Sequence, residues 1–466
     1  MVIMKFGGTS VEDASAMSKV ASIVHTALKR SVEEGSPAPM VIISACAGIT
    51  NKLFELSKLA AAGKESEALK IFGIIRDHHL KIIENLVTDP TRKSLVTEKI
   101  IKLLSELDQL VRAVIYLGEL TPRLEDAFAS FGELLSSTVL GEALNQNGIF
   151  TEWLDARHLL KTDSNFGKAV PLWPLVEKQI QEKVYPLLKR GTVVLSQGYI
   201  GSTEQGKTTT LGRGGSDYSA AIFGAALGVD AIQIWTDVDG VLTTDPRVVA
   251  GARRLKVMTF SEAAELAYFG AKVLHPSTIR PAIQKNIPVY VLNSKRPESE
   301  GTRISNEVDS HEGTVKSIAC KKGQTMINLT TTSMLGEYGF LYKVSEIFAE
   351  YETPIDMIST SEVSISVTIG ITTNLDLIIE RLKKIADVSI DRGVAIVCVV
   401  GDSIRKSPGI ASRVFSSLPS INVKMISQGA SEINIGFVVD EKDADTAVRL
   451  LHDEFFSAIR ENAIFA

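Results

Sequence analysis

Over residues 1–294, short apolar runs alternate with longer stretches whose apolar positions recur at helical spacing. Residues 1–6 and 39–45 read as buried strands ending in small residues, Gly-Gly-Thr-Ser and Cys-Ala-Gly-Ile-Thr. Amphipathic helices follow them, over 11–34 and from about Asn51. From 64 to 147 the chain is rich in Leu, Ile, Lys and Glu and reads as helical. Further strands are expected at 149–156, 192–200, 231–236 and 287–293, with helices at 172–189, 216–228 and 261–285. Strand, glycine turn, helix, strand is the rhythm of parallel α/β architecture, so 1–294 is expected to form one α/β domain.

Residues 295–313 are polar, charged and short of large apolar side chains, the pattern of a linker. From residue 314 to the end the chain reads as a weak internal repeat. Gly339 and Gly409 each open a helical stretch leading to a strand, Met-Ile-Ser recurs at 357–359 and 425–427, and Glu432 echoes Glu362. Three shared residues can arise by chance, but the matching helix-then-strand context favours duplication. Each copy has the pattern of a split βαβ unit of ferredoxin-like type, the first starting near Ser317 and the second near Val394. The modules are drawn at 314–392 and 393–466, with interleaving allowed.

Composition narrows the partners. Hydrophobic residues make up 45% of the 466 and charged residues 23%, an ordinary globular balance. A formal net charge of -5 gives no general attraction to nucleic acid or to anionic membranes, so neither is expected as a partner. Three scattered cysteines, Cys46, Cys320 and Cys398, suit a reducing compartment better than a disulfide framework. The opening residues lack the apolar core of a signal peptide, and no run approaches the ~18–20 apolar residues of a membrane helix. A cytoplasmic protein is expected.

One motif misleads. Residues 201–208, Gly-Ser-Thr-Glu-Gln-Gly-Lys-Thr, match the phosphate-loop pattern, whose mechanism needs a helix starting at the Lys-Thr end. The next residues are β-branched and then glycine, so the segment is expected to join two short strands instead.

Four other loops carry candidate chemistry, and in parallel sheets loops at strand carboxyl ends collect in one cleft. The first is Lys5 to Ser10, where paired glycines let amides approach phosphate oxygens and Lys5 supplies charge. A lysine snorkelling from a strand end is the plain alternative. The second, Ser44 to Asn51, offers small residues and hydroxyls, or simply a helix cap. The third, Leu211 to Tyr218, holds Arg213 between glycines at a helix start, an arrangement suited to gripping a carboxylate or phosphate. Capping accounts for Ser216 and Asp217 but not for Arg213. The fourth, Trp235 to Arg247, has the look of a nucleotide loop, and a solvated acidic turn would look the same.

The motifs KFGGTSV, SACAGITN, SFGELLSS (130–137), TTTLGRGGSDYSAA, WTDVDGVLTTDPR and FGAKVLHP (269–276) resemble, in order, the signature set of aspartokinases. LGRGGSD alone points to the amino-acid kinase family; KFGGTS with a tail similar to paired ACT modules narrows the resemblance to aspartokinase, over essentially the whole chain. It implies an αβα sandwich with a mainly parallel central sheet, followed by two ferredoxin-like βαββαβ ACT modules. It implies transfer of the γ-phosphoryl of Mg-ATP to the side-chain carboxylate of L-aspartate, the first step towards lysine, threonine and methionine.

Residue by residue, the resemblance implies that Lys5 neutralises the transferring phosphoryl, with Gly7, Gly8 and Thr9 lining its path. Asp217 would organise that lysine and the magnesium region; no residue is assigned to a resident metal. Arg213 would grip a substrate carboxylate and Glu133 the substrate ammonium, while Ser44, Thr50 and Ser216 position the reacting group. Thr236, Asp237, Arg247 and Lys272 would hold ATP. Leu242 stands where some relatives carry a tyrosine near the adenine, which leaves nucleotide contacts there open. In the first module, Met334, Gly339, Phe340, Asp356, Ser361 and Glu362 would bind an amino-acid effector. Carboxylates at 356 and 362 suit a cationic side chain, so lysine is favoured over threonine, and a homodimer or homotetramer through the ACT modules is expected. The resemblance is to monofunctional members, with no fused dehydrogenase. Glutamate or carbamate kinases, and a catalytically silent sensor, are the competing readings.

Overall fold

The computed structural model describes residues 1–270, 279–306, 314–334, 338–457 and 464–466. It divides into two compact units, one of Met1–Val241, Lys256–Met258 and Val273–Asn306, the other of Leu242–Leu255, Thr259–Lys272 and Glu307–Ala466.

In the first unit the buried runs become a parallel sheet. β1 (Val2–Phe6) lies between β2 (Met40–Ile43) and β7 (Ala231–Thr236). Among the described residues the sheet has eight strands, in the order β3 (Thr151–Leu154), β4 (Val193–Gln197), β2, β1, β7, β9 (Val289–Asn293), β10 (Thr302–Ser305), β8 (Val257–Thr259). All pairings from β3 to β9 are parallel, and β10 returns antiparallel to β9. Thr302–Ser305 therefore departs from the expected linker. Its β-branched Thr302 and Ile304 are buried and complete a ladder, which outweighs the polar composition around them.

Alternation along β1 assigns its two faces. Met4 and Phe6 join the core built by α1 (Ala14–Glu33), α2 (Ile49–Ala61), α3 (Glu65–Leu86), α4 (Pro90–Leu117) and α5 (Pro122–Gln146). Ile3 and Lys5 point to the other face, against which α6 (Gly215–Leu227) packs. The expected helical block 64–147 is thus three helices. Its breaks are set by Asp89-Pro90 and Thr121-Pro122, where the capping side chains accept the Arg92 amide at 2.8 Å and the Leu124 amide at 3.3 Å. The helix expected at 172–189 is interrupted by one wide turn over Ile180–Val184, just before Pro186, which has no N–H to give the preceding turn. Residues 201–208 do join two short antiparallel strands, β5 (Ile200–Ser202) and β6 (Thr208–Thr210), and no helix follows the Lys-Thr pair.

The second unit is built on an antiparallel sheet, six-stranded among the described residues: β12 (Ile355–Thr360), β13 (Ser364–Ile369), β11 (Val315–Thr330), β14 (Asp387–Gly401), β16 (Asn434–Asp440), β15 (Met425–Gln428). Helices α8 (Phe340–Glu350), α9 (Leu375–Leu382), α10 (Ile410–Ser416) and α11 (Glu441–Phe456) complete two βαββαβ modules. They interleave. The far half of β11, from Thr325, pairs with β13 and with the start of β14, whereas Val315–Lys321 pairs with the end of β14 and supplies the last strand of the second module. Ser317, where the first copy was expected to start, therefore sits in the second module's strand. α7 (Phe260–Tyr268), opened by a reciprocal cap between Thr259 and Glu262, packs on this sheet through a fully buried ion pair, Glu262 Oε1 to Lys316 Nζ at 2.8 Å. The helix expected over 261–285 is α7 and a short turn at Arg280–Gln284, with residues 271–278 between them lying outside the described set.

Candidate active site

Strands β4, β2, β1 and β7 are consecutive neighbours, all parallel, so their carboxyl ends share one edge of the sheet. Three of the candidate loops leave from that edge, after β1, β2 and β7; the third, Leu211 to Tyr218, follows β6 of the small hairpin and is tied to β1 through Asp217 and Lys5. Backbone bonds lace them together: Ser44 N–H to Phe6 C=O at 3.1 Å, Ala47 N–H to Gly8 C=O at 3.1 Å, Gly7 N–H to Trp235 C=O at 3.0 Å, Gly198 N–H to Ile43 C=O at 2.9 Å. Distance in sequence is cancelled by strand order.

Lys5 is the penultimate residue of β1 and only 8% exposed. Its Nζ meets Asp217 Oδ1, in the first turn of α6, at 2.6 Å. A buried ammonium needs such a partner, and the pair puts a cation and an anion beside Gly7, whose Cα faces Lys5 Nζ closely enough that an added Cβ would lie 3.7 Å away. Gly8 and Thr9 continue as a single tight turn. Ser216 adjoins Asp217 in the same helical turn, half-buried, and Arg213 stands exposed three residues earlier without an ion-pair partner among the described residues.

Glu133 lies in α5, buried, and accepts the Ala45 N–H on Oε1 at 3.1 Å. Its second oxygen, Oε2, is buried without a partner. Burial pushes this carboxyl up to about 8, against the opposing pull of the Ala45 amide. A deeply placed carboxylate with one empty oxygen is shaped to receive a cation. Gly132 is what lets α5 come so near: a Cβ there would lie 2.6 Å from that of Ala45. Ser136 Oγ donates to Ser44 C=O at 2.8 Å, fixing the same loop from one turn further on. Ser44 and Thr50, half-buried, flank that loop, Thr50 in the first turn of α2. Burial also pushes the Cys46 thiol up to about 12, so it is inert packing in the loop.

At the end of β7, Thr236 Oγ1 donates to Asp237 at 3.2 Å, and Thr236 C=O accepts from the Ser294 amide at 2.8 Å. Asp239 is held by Asn293 Nδ2 at 2.6 Å and by Arg296. Arg247 belongs to the second unit, where its guanidinium is chelated by Asp245, Nη2 to Oδ2 at 2.6 Å, and Lys272 lies outside the described residues. Leu242 also belongs to the second unit; its C=O accepts from Ser317 Oγ at 2.9 Å.

Two residues escape the sequence reading. Tyr199, after β4, has a φ of 66°, costly for an aromatic residue, and Ser219 Oγ accepts its N–H at 3.0 Å. Asp126, in the second turn of α5, is buried and fully bonded. Nothing in the local pattern separates it from a solvated helix face.

In the first module, Met334 ends a short turn and packs partly buried on the core, Gly339 caps α8, and Phe340 opens it. Asp356 is the second residue of β12, while Ser361 and Glu362 form the exposed turn beyond its far end. At about 3.3 Å per residue the two carboxylates are more than ~13 Å apart, too far to share one ammonium within a single chain.

The sequence profile of the amino acid kinase family matches residues 1–293, and an ACT-domain profile matches 397–455. The lysine-sensitive aspartokinase 3 of Escherichia coli is 37% identical over 98% of this chain and 99% of its own length. The chain belongs to the aspartokinases. The crystal structure of Escherichia coli aspartokinase III with aspartate and ADP superposes on this aspartokinase with a TM-score of 0.84, at 37% identity, covering 98% of this chain and 100% of the other. The same enzyme with lysine and aspartate gives 0.80, covering 98% and 99%. No helix among the described residues is long and apolar enough to cross a membrane.

Proposed function

We propose that this aspartokinase transfers the γ-phosphoryl of ATP to the β-carboxylate of L-aspartate, giving 4-phospho-L-aspartate, under feedback control by lysine. The observation that carries the reading is the carboxyl end of β1 and β2, where Lys5 meets Asp217 of the Arg213 loop and Glu133 of α5 holds the Ala45 amide. The acceptor carboxylate is ionised at neutral pH, so no general base is required. The work is alignment and charge stabilisation of a loose phosphoryl transition state. Lys5 meets the developing charge, Asp217 holds that ammonium in place, Glu133 receives the substrate ammonium, and Arg213 takes a substrate carboxylate. Ser44, Thr50 and Ser216 position the reacting group, and Gly7, Gly8, Thr9, Thr236 and Asp237 receive ATP. Magnesium, which keeps most of its waters and rides on phosphates rather than in a protein cage, would arrive on ATP, with Asp217 organising the region around it through Lys5. When bound it neutralises phosphate charge.

The first module is the effector site. Escherichia coli aspartokinase III binds lysine, and Asp356 supplies a carboxylate for such a cation here. β12 and β15 are sheet edges with Ile358 and Ile426 exposed, surfaces on which a second copy would seat and bring a second Glu362 to the effector; a homodimer or homotetramer is the resulting assembly. Three free cysteines support a cytoplasmic setting. Hydroxylamine trapping of the acyl phosphate, with aspartate, with glutamate and with neither, tests the reaction. Hydroxamate formed from glutamate, or ATP consumed without hydroxamate, would point to the competing kinases.

A further inference from the structure

Asp126 and Glu133 are seven residues apart in α5, hence on one face of the helix and about 10 Å apart along its axis. Glu133 keeps one oxygen empty; Asp126 keeps none. Its Oδ2 accepts the amide of Gly167 and the amide of Thr210, each at 2.9 Å, and its Oδ1 accepts the Thr210 hydroxyl at 2.6 Å. The Ala169 amide in turn donates to Thr210 C=O at 2.9 Å. Three elements thus end on one buried carboxylate: α5, the turn around Gly167, and β6. Thr210 is the last residue of β6, and Arg213 comes three residues later. Between them Gly212 has a φ of 78° and presses on the Gly167 carbonyl, 3.0 Å from where its Cβ would be. The backbone leading to Arg213 is therefore fixed from below by Asp126 and from the side by Gly167.

We propose that Asp126 is a positioning residue for the substrate clamp: by holding Thr210 and Gly167 it sets the Arg213 guanidinium at a fixed place relative to Glu133. One rigid helix then carries the ammonium acceptor and anchors the carboxylate grip. The proposal rests on the reading of Arg213 as that grip. An exposed arginine on a glycine-rich loop would otherwise lose much side-chain and backbone entropy on meeting substrate, and prior anchoring of the loop reduces that loss.

The test is a double-substitution cycle read in the KM for aspartate, the KM for ATP and the melting temperature. Asp126→Asn has one acceptor oxygen left and turns an NH2 towards N–H and O–H donors. It is expected to raise the KM for aspartate about ten-fold, with the KM for ATP within two-fold of wild type. In an Arg213→Ala background the same substitution should raise it no further. Thr210→Val, which deletes one donor, should move the KM for aspartate the same way by less, and Thr210→Ser should restore it; this pair carries the test if Asp126→Asn does not fold. Additive effects in the cycle, or equal rises in both KM values, would reduce Asp126 to scaffold and overturn the proposal. If Arg213→Ala alone leaves the KM for aspartate unchanged, the reading beneath it falls first.

Discussion

Lys5 Nζ stands 2.6 Å from Asp217 Oδ1, both side chains largely shielded from solvent, one at the end of a central strand and the other in the first turn of the helix packed over it. Neither residue is explained by packing alone. The pair holds an ammonium at the sheet edge from which the phosphate-approach glycines depart. Lys5→Ala is expected to lower kcat by about 10²–10³, the usual cost of one preorganised donor. Lys5→Arg should not restore it, because a planar fork does not fit the space of a compact ammonium. Steady-state kinetics with saturating aspartate and ATP measure this; near-wild-type turnover by Lys5→Ala would remove the lysine from the chemistry.

Glu133 makes a prediction about protons. With its carboxyl pushed up to about 8 by burial, it is largely protonated at neutral pH in the free enzyme. Receiving a substrate ammonium requires the ionised form, so aspartate binding at pH 7 should release close to one proton, and affinity should rise with pH until about 8 and then level off. The unfolded group titrates near 4.5, so between 4.5 and 8 the folded free enzyme holds a proton the unfolded chain has lost, and its stability falls as pH rises through that window. Calorimetry of aspartate binding in two buffers of different ionisation enthalpy counts the protons. Glu133→Gln should abolish the release and raise the KM for aspartate at least as much as it lowers kcat. Release unchanged in that variant would assign the proton to another group.

Much of the site is legible in the sequence, and the misses have physical causes. Strand order is not written in any one segment, yet the glycine-terminated apolar runs at 1–6 and 39–45 and the Trp235 loop are enough to place Lys5, Ser44 and Thr236 on strand ends. The phosphate-loop match fails for the reason the structure displays: a hairpin, not a helix, holds Lys207. Asp126 is invisible in the sequence because a lone aspartate on a helix looks solvated until β6, far along the chain, arrives to donate to it. The interleaving of the modules is hidden likewise. Val315–Thr330 is one continuous strand whose halves serve different modules, and only its partners in β13 and β14 tell them apart. The α/β pattern over 1–294 also looks unbroken in sequence, whereas Leu242–Leu255 keeps company with β11: Ile318 N–H donates to Thr243 C=O at 2.8 Å.

His79 sets an acid limit. It is fully buried in α3, Nδ1 against Ile75 C=O at 2.7 Å and Nε2 without a partner, with His78 edge-on at 5.3 Å. Burial lowers it from 6.5 to about 4, so the folded chain stays neutral there while the unfolded chain takes up a proton. Stability should therefore fall as pH drops from 6.5 towards 4, by up to about 1.4 kcal/mol per pH unit from this group. His78, also lowered by burial, acts in the same direction. Denaturant titrations across that window should show a shallower fall for His79→Leu. Parallel curves for the two proteins would mean that His79 is protonated in the fold.

Asp356, the carboxylate proposed to take the effector, is already occupied by the protein itself. Lys321 Nζ lies 2.7 Å from Asp356 Oδ2, the Tyr268 hydroxyl donates to Oδ1 at 3.0 Å, and the same ammonium sits 5.1 Å from the centre of the Tyr268 ring. The Asp356 side chain is 4% exposed, so little of it remains for a newcomer. Binding of free lysine at Asp356 is then an exchange of one ammonium for another, and Lys321 is the competitor. Lys321→Met keeps the length of the stem and removes the charge, which should leave Asp356 short of a cation and lower the half-inhibitory lysine concentration about ten-fold. Asp356→Asn should raise it. Because Tyr268 ends α7, whose other end is tied to β11 by Glu262 and Lys316, the exchange disturbs a helix gripped at both ends by the regulatory sheet, and Tyr268→Phe should weaken inhibition more than it weakens lysine binding. Inhibition curves and lysine calorimetry on the three variants separate these effects. If Lys321→Met leaves lysine affinity where it was while Asp356→Asn weakens it, lysine reaches the carboxylate without displacing anything, and the exchange does not occur.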